Sequence, residues 1–464
     1  MDEMFRPPVN RAMRVLDRSF FRKTLPISAA RVQENQNISK VRKQLEQSRD
    51  ALMQERLGTV HPDPDPEMAK AGKKCILLKP EVTASAADGE SDSRGEHREP
   101  QSSTIAALVH EQLVSIIPYD LNLDYDYWTY HDIISSVLPE DEQDEIPSGF
   151  TQVGHVAHLN LREAYFPYKR IIAEILLDKN PTVRTVINKI DDVGEESEFR
   201  TFKYEVLAGP DDLNVTISEE NCAFKFDYAK VYWNSRLQTE HRRLVSTFKE
   251  GENVCDVMAG IGPFAVPAGK KRVFVWANDL NPDSYVSLED AIKRNKVGDF
   301  VKPFNQDGRT FIRGATTDIL NQPQHKVEIL KKLSRKAGKD AKPEVIRSLV
   351  QPKTFQHFVL NLPASAITFL SSFVGLYPSE KKGEVGQLPL VHCYCFSTKS
   401  DDNVEEGLKI CEEISAQLGY EMVPGKIDEA EGNVEIYDVR DVAPKKRMFC
   451  ASFRLPQEVA FQGS

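Results

Sequence analysis

The stretch from Asn253 to Asn281, NVCDVMAGIGPFAVPAGKKRVFVWANDLN, admits few folds. It reads as a short apolar strand (Val254 to Val257), a glycine turn, a short helix and a second strand. The turn is Ala259-Gly260-Ile261-Gly262-Pro263. The second strand, Arg272 to Ala277, is β-branched and aromatic and ends in Asn278 and Asp279. This order makes a βαβ unit opening a doubly wound sheet. Glycines after the first strand let backbone approach a ligand closely. An acid at the tip of the second strand can accept hydrogen bonds from ribose hydroxyls.

Two ligands fit the pattern. Gly260-x-Gly262-x-x-Ala265 satisfies a loose dinucleotide fingerprint, which admits NAD. Against it, Pro263 stands where the helix begins and Asp256 precedes the turn. A carboxylate beside the glycine loop repels a pyrophosphate and attracts the ammonium of a methionine moiety. The residues therefore favour S-adenosylmethionine over NAD. A βαβ unit with no ligand is the plain alternative, because short glycine motifs recur by chance.

The 464 residues suit two or three domains. No run of 18 apolar residues occurs, so no membrane span is expected. Seven scattered cysteines point to reduced thiols. Cys393-x-Cys395 lacks the second pair that would complete a zinc site, so no metal is expected. The Asn-x-Thr at Asn214 carries little meaning without secretion. The net charge of −10 argues against nonspecific binding to nucleic acid. It leaves room for a locally basic groove, since charge distribution matters more than its sum.

Along the chain, residues 1–32 carry Arg6, Arg11, Arg14, Arg18, Arg22, Lys23 and Arg31 against three acids. They read either as a mitochondrial presequence or as a basic arm folded onto its own domain, and Asp2 and Glu3 weaken the first reading. Residues 36–56 look helical, Lys74 to Lys79 reads as a strand, and 84–103 is polar enough to be disordered. Thr104 to Ile117 is expected as a helix. From Phe150, strands and one helix with apolar spacing from Leu161 to Leu177 form an α+β unit. Tyr232 to Phe248 reads as a helix leading into the glycine turn. Residues 314–354 are Lys-rich and read as an insertion between sheet elements. Leu390 to Ser397 and Val404 to Leu418 follow as strand and helix. A hairpin around Pro444-Lys445-Lys446-Arg447 closes the fold, an antiparallel finish common in methyltransferases and foreign to dehydrogenases. Expected boundaries are 1–125, 126–228 and 229–464.

In an open α/β sheet, ligands sit beyond the carboxyl ends of the strands. Four strand ends carry polar signals: Asp256 with Gly260 and Gly262, then Asp279, Asp307 and Asn361. Asp279 is placed for the ribose and Asp307 for an adenine amino group. Asn361-Leu362-Pro363-Ala364 is similar to the Asn/Asp-Pro-Pro turn of enzymes that methylate base nitrogens. Taken singly, each aspartate reads as a helix cap.

The stretches EFRTFKYEVLAG (198–209), VYWNSRLQTEHRR (231–243), CDVMAGIGPFAVPAGKK (255–271), ANDLNP (277–282), FNQDGR (304–309) and LNLPASA (360–366) together resemble the eukaryotic and archaeal tRNA (guanine-N1)-methyltransferases. That family modifies the guanosine just 3′ of the anticodon. The resemblance covers residues 110 to 464, with 314–354 as an insertion, and is looser in the N-terminal third. It implies a class I (Rossmann-like) methyltransferase domain in an α/β chain, preceded by a smaller α+β domain and an N-terminal region that binds tRNA. It implies S-adenosylmethionine held by Asp256, Gly260, Gly262, Pro263, Phe264, Asp279, Leu280, Asp307, Gly308 and Asn361. It further implies Glu240 as general base, Arg200 facing guanine O6, Asn361 and Pro363 fixing the ring, and Arg236 supporting the site. Without the resemblance, Glu240 reads as an exposed helix glutamate paired with Arg236 or Arg243, and Arg200 as one half of a cross-strand ion pair. The related aminocarboxypropyl transferases of wybutosine synthesis are the nearest rival. A tRNA-binding protein with a vestigial cofactor site is the second. A monomer is expected, and cytoplasm, nucleus and mitochondrial matrix are all compatible with the basic N-terminus.

Overall fold

The computed structural model describes residues 3–82, 102–143, 146–147, 149–190, 199, 201–331 and 344–463. Arg200, nearly all of the stretch expected to be disordered, and the middle of the 314–354 insertion lie outside them. The chain forms two compact units, 1–150 with 161–181 and 151–160 with 182–464.

The first unit is built on a four-stranded antiparallel sheet in the order Val60–Pro62, Lys74–Leu77, Lys23–Val32, Val114–Leu123. Lys23–Val32 is therefore an interior strand, paired with Val114–Leu123 from Lys23↔Leu123 to Val32↔Val114. The expected helix over 104–117 is half right. A helix runs Ser103–His110, capped by the Ser102 hydroxyl. Gln112 then turns with φ 53°, and the β-branched residues of 114–117 join the sheet. Much of the basic charge of residues 1–32 is used internally. Arg31 binds the buried Asp63 through two bonds of 2.6 and 2.7 Å, and Arg18 binds Asp178.

The second unit carries an eight-stranded mixed sheet: β1 (Asn253–Asp256), β2 (Phe274–Asn278), β3 (Val301–Phe304), β4 (His357–Leu360), β5 (Leu390–Ser397), β6 (Val423–Pro424), β7 (Asn433–Ala443) and β8 (Lys446–Arg454). The order is β3-β2-β1-β4-β5-β8-β7-β6. Strands β1 to β5 are parallel, and β8 runs antiparallel to β5. β1, β2 and β4 are buried throughout, as strands covered on both faces must be. Side chains alternate between two cores: Val254 and Val275 join one, Cys255 and Trp276 the other. The order reverses at β1/β4, which sets the crevice over the carboxyl ends of those strands.

The segment expected as a middle domain, 126–228, is divided between the two units. Val156–Leu159 pairs in parallel with Thr185–Lys189, so a crossover must join them. That crossover holds the helix Lys169–Lys179, which belongs to the first unit, whereas both strands share a core with β1 and β2. The hairpin Asn214–Glu219/Cys222–Asp227 is tied to the helix Pro282–Asn295 by two bonds between Asn295 and Ala223. The start of the expected insertion is also regular structure. Residues 314–321 complete a helix, Gly308–Asn321, and Lys326–Leu330 pairs with Val345–Val350. No helix among the described residues is long and apolar enough to cross a membrane. All seven cysteines are free and buried, and no cluster among the described residues could hold a metal.

Candidate functional site

The glycine turn after β1 owes its shape to two left-handed residues. Gly260 has φ 54° and Gly262 φ 96°. At Gly260 an added Cβ would meet nothing within 4 Å, so its backbone faces open space. At Gly262 it would stand 2.7 Å from Leu288 and 2.9 Å from Val266, so this glycine serves packing. Asp279, at the tip of β2, ties the turn down: its Oδ2 accepts from the Gly260 N–H at 2.8 Å and its Oδ1 from Asn281 at 2.9 Å. Burial raises the Asp279 carboxyl above its ordinary range, and those backbone donors only partly offset this.

A cavity of about 1040 Å³ opens beyond these strand ends. Gly260, Pro263, Phe264, Asp279, Leu280, Asp307, Gly308 and Asn361 line it, eight of the ten residues expected to hold the cofactor. Asp307 also caps the helix after it, accepting from Arg309 and Thr310, but both bonds fall on Oδ1. The other two expected residues, Gly262 and Asp256, stand behind the lining. Asp256 is fully buried and neither of its carboxylate oxygens has a partner. Burial, reinforced by Asp279, pushes its carboxyl well above the usual range.

A second cavity, of about 1120 Å³, abuts the first. The two share Tyr232, Trp233, Asn234, Leu237 and Asn361. The Oδ1 of Asn361 is buried without a partner. Arg236 and Pro363 line the second cavity, as do Lys189, Arg440, His158, Tyr228 and Phe396. No carboxylate lines it among the described residues, although the chain is acidic overall. The Tyr228 hydroxyl lies 3.0 Å from His158 Nδ1, and burial with Lys189 and Arg236 nearby lowers the imidazole to about 4.

Glu240 lies in the helix Gln238–Thr247, one turn beyond Arg236 and outside the lining of both cavities. The pair with Arg243 forms, at 2.6 and 2.7 Å, but the glutamate is buried rather than exposed. The Tyr394 hydroxyl donates to its Oε1 at 2.6 Å. Burial pulls the Arg243 guanidinium down, and the carboxylate of Glu240 reverses that, leaving it raised. Arg200 lies outside the described residues.

The sequence reading missed His241, Phe369 and the Tyr232-Trp233-Asn234 run in the first cavity, and Lys189, His158 and Arg440 in the second. The aromatic pair preceding the helix was the available signal, since stacking platforms for bases are built from such residues. Nothing local marked Arg440.

A doubly wound sheet finished by an antiparallel hairpin, with acids at successive strand tips around a glycine turn, defines a class I methyltransferase. The model of the TRM5/TYW2 methyltransferase domain matches residues 216–342, and that of the TYW2 N-terminal domain residues 130–212. A tRNA (guanine(37)-N(1))-methyltransferase of Aspergillus fumigatus is 54% identical over 475 aligned positions, covering 100% of this chain and 96% of that protein. One of Schizosaccharomyces pombe is 43% identical, covering 96% and 94%. The chain belongs to the tRNA (guanine(37)-N(1))-methyltransferase family. Its fold is that of Trm5b from Pyrococcus abyssi (TM-score 0.53, 20% identity, 93% of this chain and 99% of that one). It is also that of aTrm5 solved in complex with tRNALeu (TM-score 0.53, 17% identity, 92% and 99%).

Proposed function

We propose that this chain transfers the methyl group of S-adenosylmethionine to N1 of guanosine 37 of tRNA, giving 1-methylguanosine. The observation that carries the reading is the pair of abutting cavities joined at Asn361, one acidic and one basic and aromatic. The relatives' shared name supports the same substrate.

The first cavity fits the cofactor. Asp279 and Asp307 offer acceptors to ribose and adenine, Gly260 leaves its backbone open, and the unpartnered Asp256 carboxyl offers a further polar group behind the wall. When bound, S-adenosylmethionine supplies an electrophilic methyl group. The second cavity takes the guanine. Tyr232 and Trp233 offer faces to the base, Pro363 bounds it, and Asn361 Oδ1 accepts from a ring or exocyclic N–H. Guanine N1 holds a proton near neutral pH, so its lone pair must be freed. Glu240 accepts that proton as the N1–methyl bond forms. The negative charge that develops toward O6 is met by a fixed cation, the role the family resemblance gives to Arg200, with Arg236 supporting the site from the cavity wall. The guanosine leaves the anticodon loop to enter, at low cost because loop bases are already partly unstacked. The N-terminal region adds tRNA affinity. The chain acts as a monomer in cytoplasm, nucleus or mitochondrial matrix.

Labelled S-adenosylmethionine and unmodified tRNA transcripts test the reading. Transfer is expected with guanosine at position 37 and not with adenosine there. Equal transfer to both would overturn it, and transfer of the aminocarboxypropyl group would select the wybutosine branch of the family.

A further inference from the structure

The second cavity holds a feature that guanine recognition does not account for. Two arginines from distant parts of the chain, Arg236 and Arg440, line it together. Arg236 makes no ion pair among the described residues. The acids that flank Arg440 in the sequence are already engaged: Asp438 and Asp441 both bind Arg447, at 2.9 and 2.7 Å, and Asp441 also binds Lys399. Among the described residues Arg440 makes one hydrogen bond, its Nε donating to the Asp441 carbonyl at 3.0 Å. Its place in the strand is irregular too. The register of β7 against β8 shifts on either side of it, between Asp438 and Arg440 and between Asp441 and Ala443. Bulges of this kind re-aim side chains, and they collect beside functional sites.

Two like charges facing one cavity without an acid repel each other unless an anion enters. Burial, with Arg236 close by, lowers the Arg440 guanidinium below its ordinary value. Guanine at rest is neutral and does not relieve this. A nucleotide, however, arrives with backbone phosphodiesters, and guanidinium forks match phosphate oxygens in charge and shape.

We propose that Arg236 and Arg440 form a clamp for a backbone phosphodiester of the RNA, at the nucleotide whose base enters the second cavity. The clamp rests on the guanosine reading of that cavity. It gives Arg440 a positioning role: it holds the RNA backbone and does not touch the reacting atoms. A contact to phosphate carries no base information, so it fixes register and orientation.

The test compares wild type, Arg440→Gln and Arg440→Lys. Each phosphate contact contributes roughly 0.7 to the log–log slope of RNA affinity against salt for a single strand. Arg440→Gln is expected to raise KM for tRNA about tenfold, the size of one hydrogen bond to a charged group. Its salt slope should fall by roughly 0.7, and the loss should sit in KM more than in kcat. Arg440→Lys should keep the salt slope and recover only part of the affinity, because it keeps charge without the fork. Cofactor affinity, measured by calorimetry, reports on folding through the other cavity. An unchanged salt slope in Arg440→Gln overturns the clamp. If wild type binds tRNA but methylates none, the functional reading fails, and the salt slope of binding still decides the clamp.

Discussion

The two cavities share a wall and little else. The cofactor cavity carries Asp279 and Asp307 and, among the described residues, no lysine or arginine. The guanosine cavity carries Lys189, Arg236 and Arg440 and no acid. Each polarity suits one guest. A ribose and a cationic methionine moiety need acceptors and negative charge, whereas RNA brings its own negative charge and needs cations. Asn361, with its unpartnered oxygen, lies where the two meet. The separation means that either site can be damaged while the other is read out, and the predictions exploit that.

The largest effect should come from a residue that lines neither cavity. Glu240→Gln keeps the size of the side chain and removes its basicity, so methyl transfer in a single turnover should slow by about 10²- to 10⁴-fold. Affinity for cofactor and for tRNA should change far less. A rate within a fewfold of wild type would move proton removal elsewhere and leave Glu240 as the structural partner of Arg243 and Tyr394. Asp279→Ala comes next. It removes the acceptor that ties Gly260 to β2 and that lines the cavity proposed for the cofactor. Cofactor affinity measured by calorimetry should fall about a hundredfold, the worth of one to two charged hydrogen bonds. KM for tRNA should stay near wild type, and a matching rise in it would break the claim that the cavities are independent.

The same contrast explains what the chain reveals when read as a string. The cofactor cavity is built from short segments that follow successive strands, each carrying its own turn, glycine or cap signal. Asp279, Asp307 and Asn361 were therefore legible from order and spacing. The guanosine cavity draws on 151–160, 189, 228–237, 361–363, 396 and 440–448, and no local pattern joins them. Arg440 shows the difficulty plainly. It sits in an exposed-looking run of charges, and only the pairing of Asp438 and Asp441 with Arg447 shows that it is unclaimed. The N-terminal strand Lys23–Val32 was missed for a related reason: its partners lie far along the chain, at 74–77 and 114–123, so its basic side chains read as an arm. Glu240 needed the family resemblance, because helix spacing alone predicted a surface pair, and tertiary packing buried it.

Asp256 sharpens the comparison from the cofactor side, with a smaller effect. Its carboxyl is raised by burial and by Asp279, so the folded protein keeps a proton that the unfolded chain has already lost. Folded stability of the cofactor-free protein thus falls as pH rises from the ordinary aspartate range toward the raised value. Asp256→Asn removes the titratable group. Its melting temperature should exceed that of wild type by about 3 °C near neutral pH, with the gap closing in acid. The same variant should bind cofactor more weakly. A gap that did not depend on pH would mean that Asp256 is not held as an unpaired buried acid.

The smallest expected effect lies in the guanosine cavity, and there the prediction is near-constancy. His158 is the only histidine lining it among the described residues. Burial and the neighbouring cations hold it at about 4, with the Tyr228 hydroxyl at its Nδ1. Between the ordinary histidine range and that value, the unfolded chain takes up a proton that the folded chain refuses, so stability declines as pH falls through this window. Across the working range, however, the imidazole stays neutral and the cavity's charge is set by lysine and arginine alone. The difference in tRNA affinity between wild type and His158→Gln, measured by filter binding, should therefore stay constant from about pH 5.5 to about pH 8. An ordinary histidine would behave otherwise: wild type would gain affinity below about pH 6.5 as the ring became a further cation facing phosphate, and the variant would not. That divergence would show that His158 meets the RNA as a charge. Constancy would leave the permanent cations, Arg440 among them, as the source of the cavity's preference for an anion.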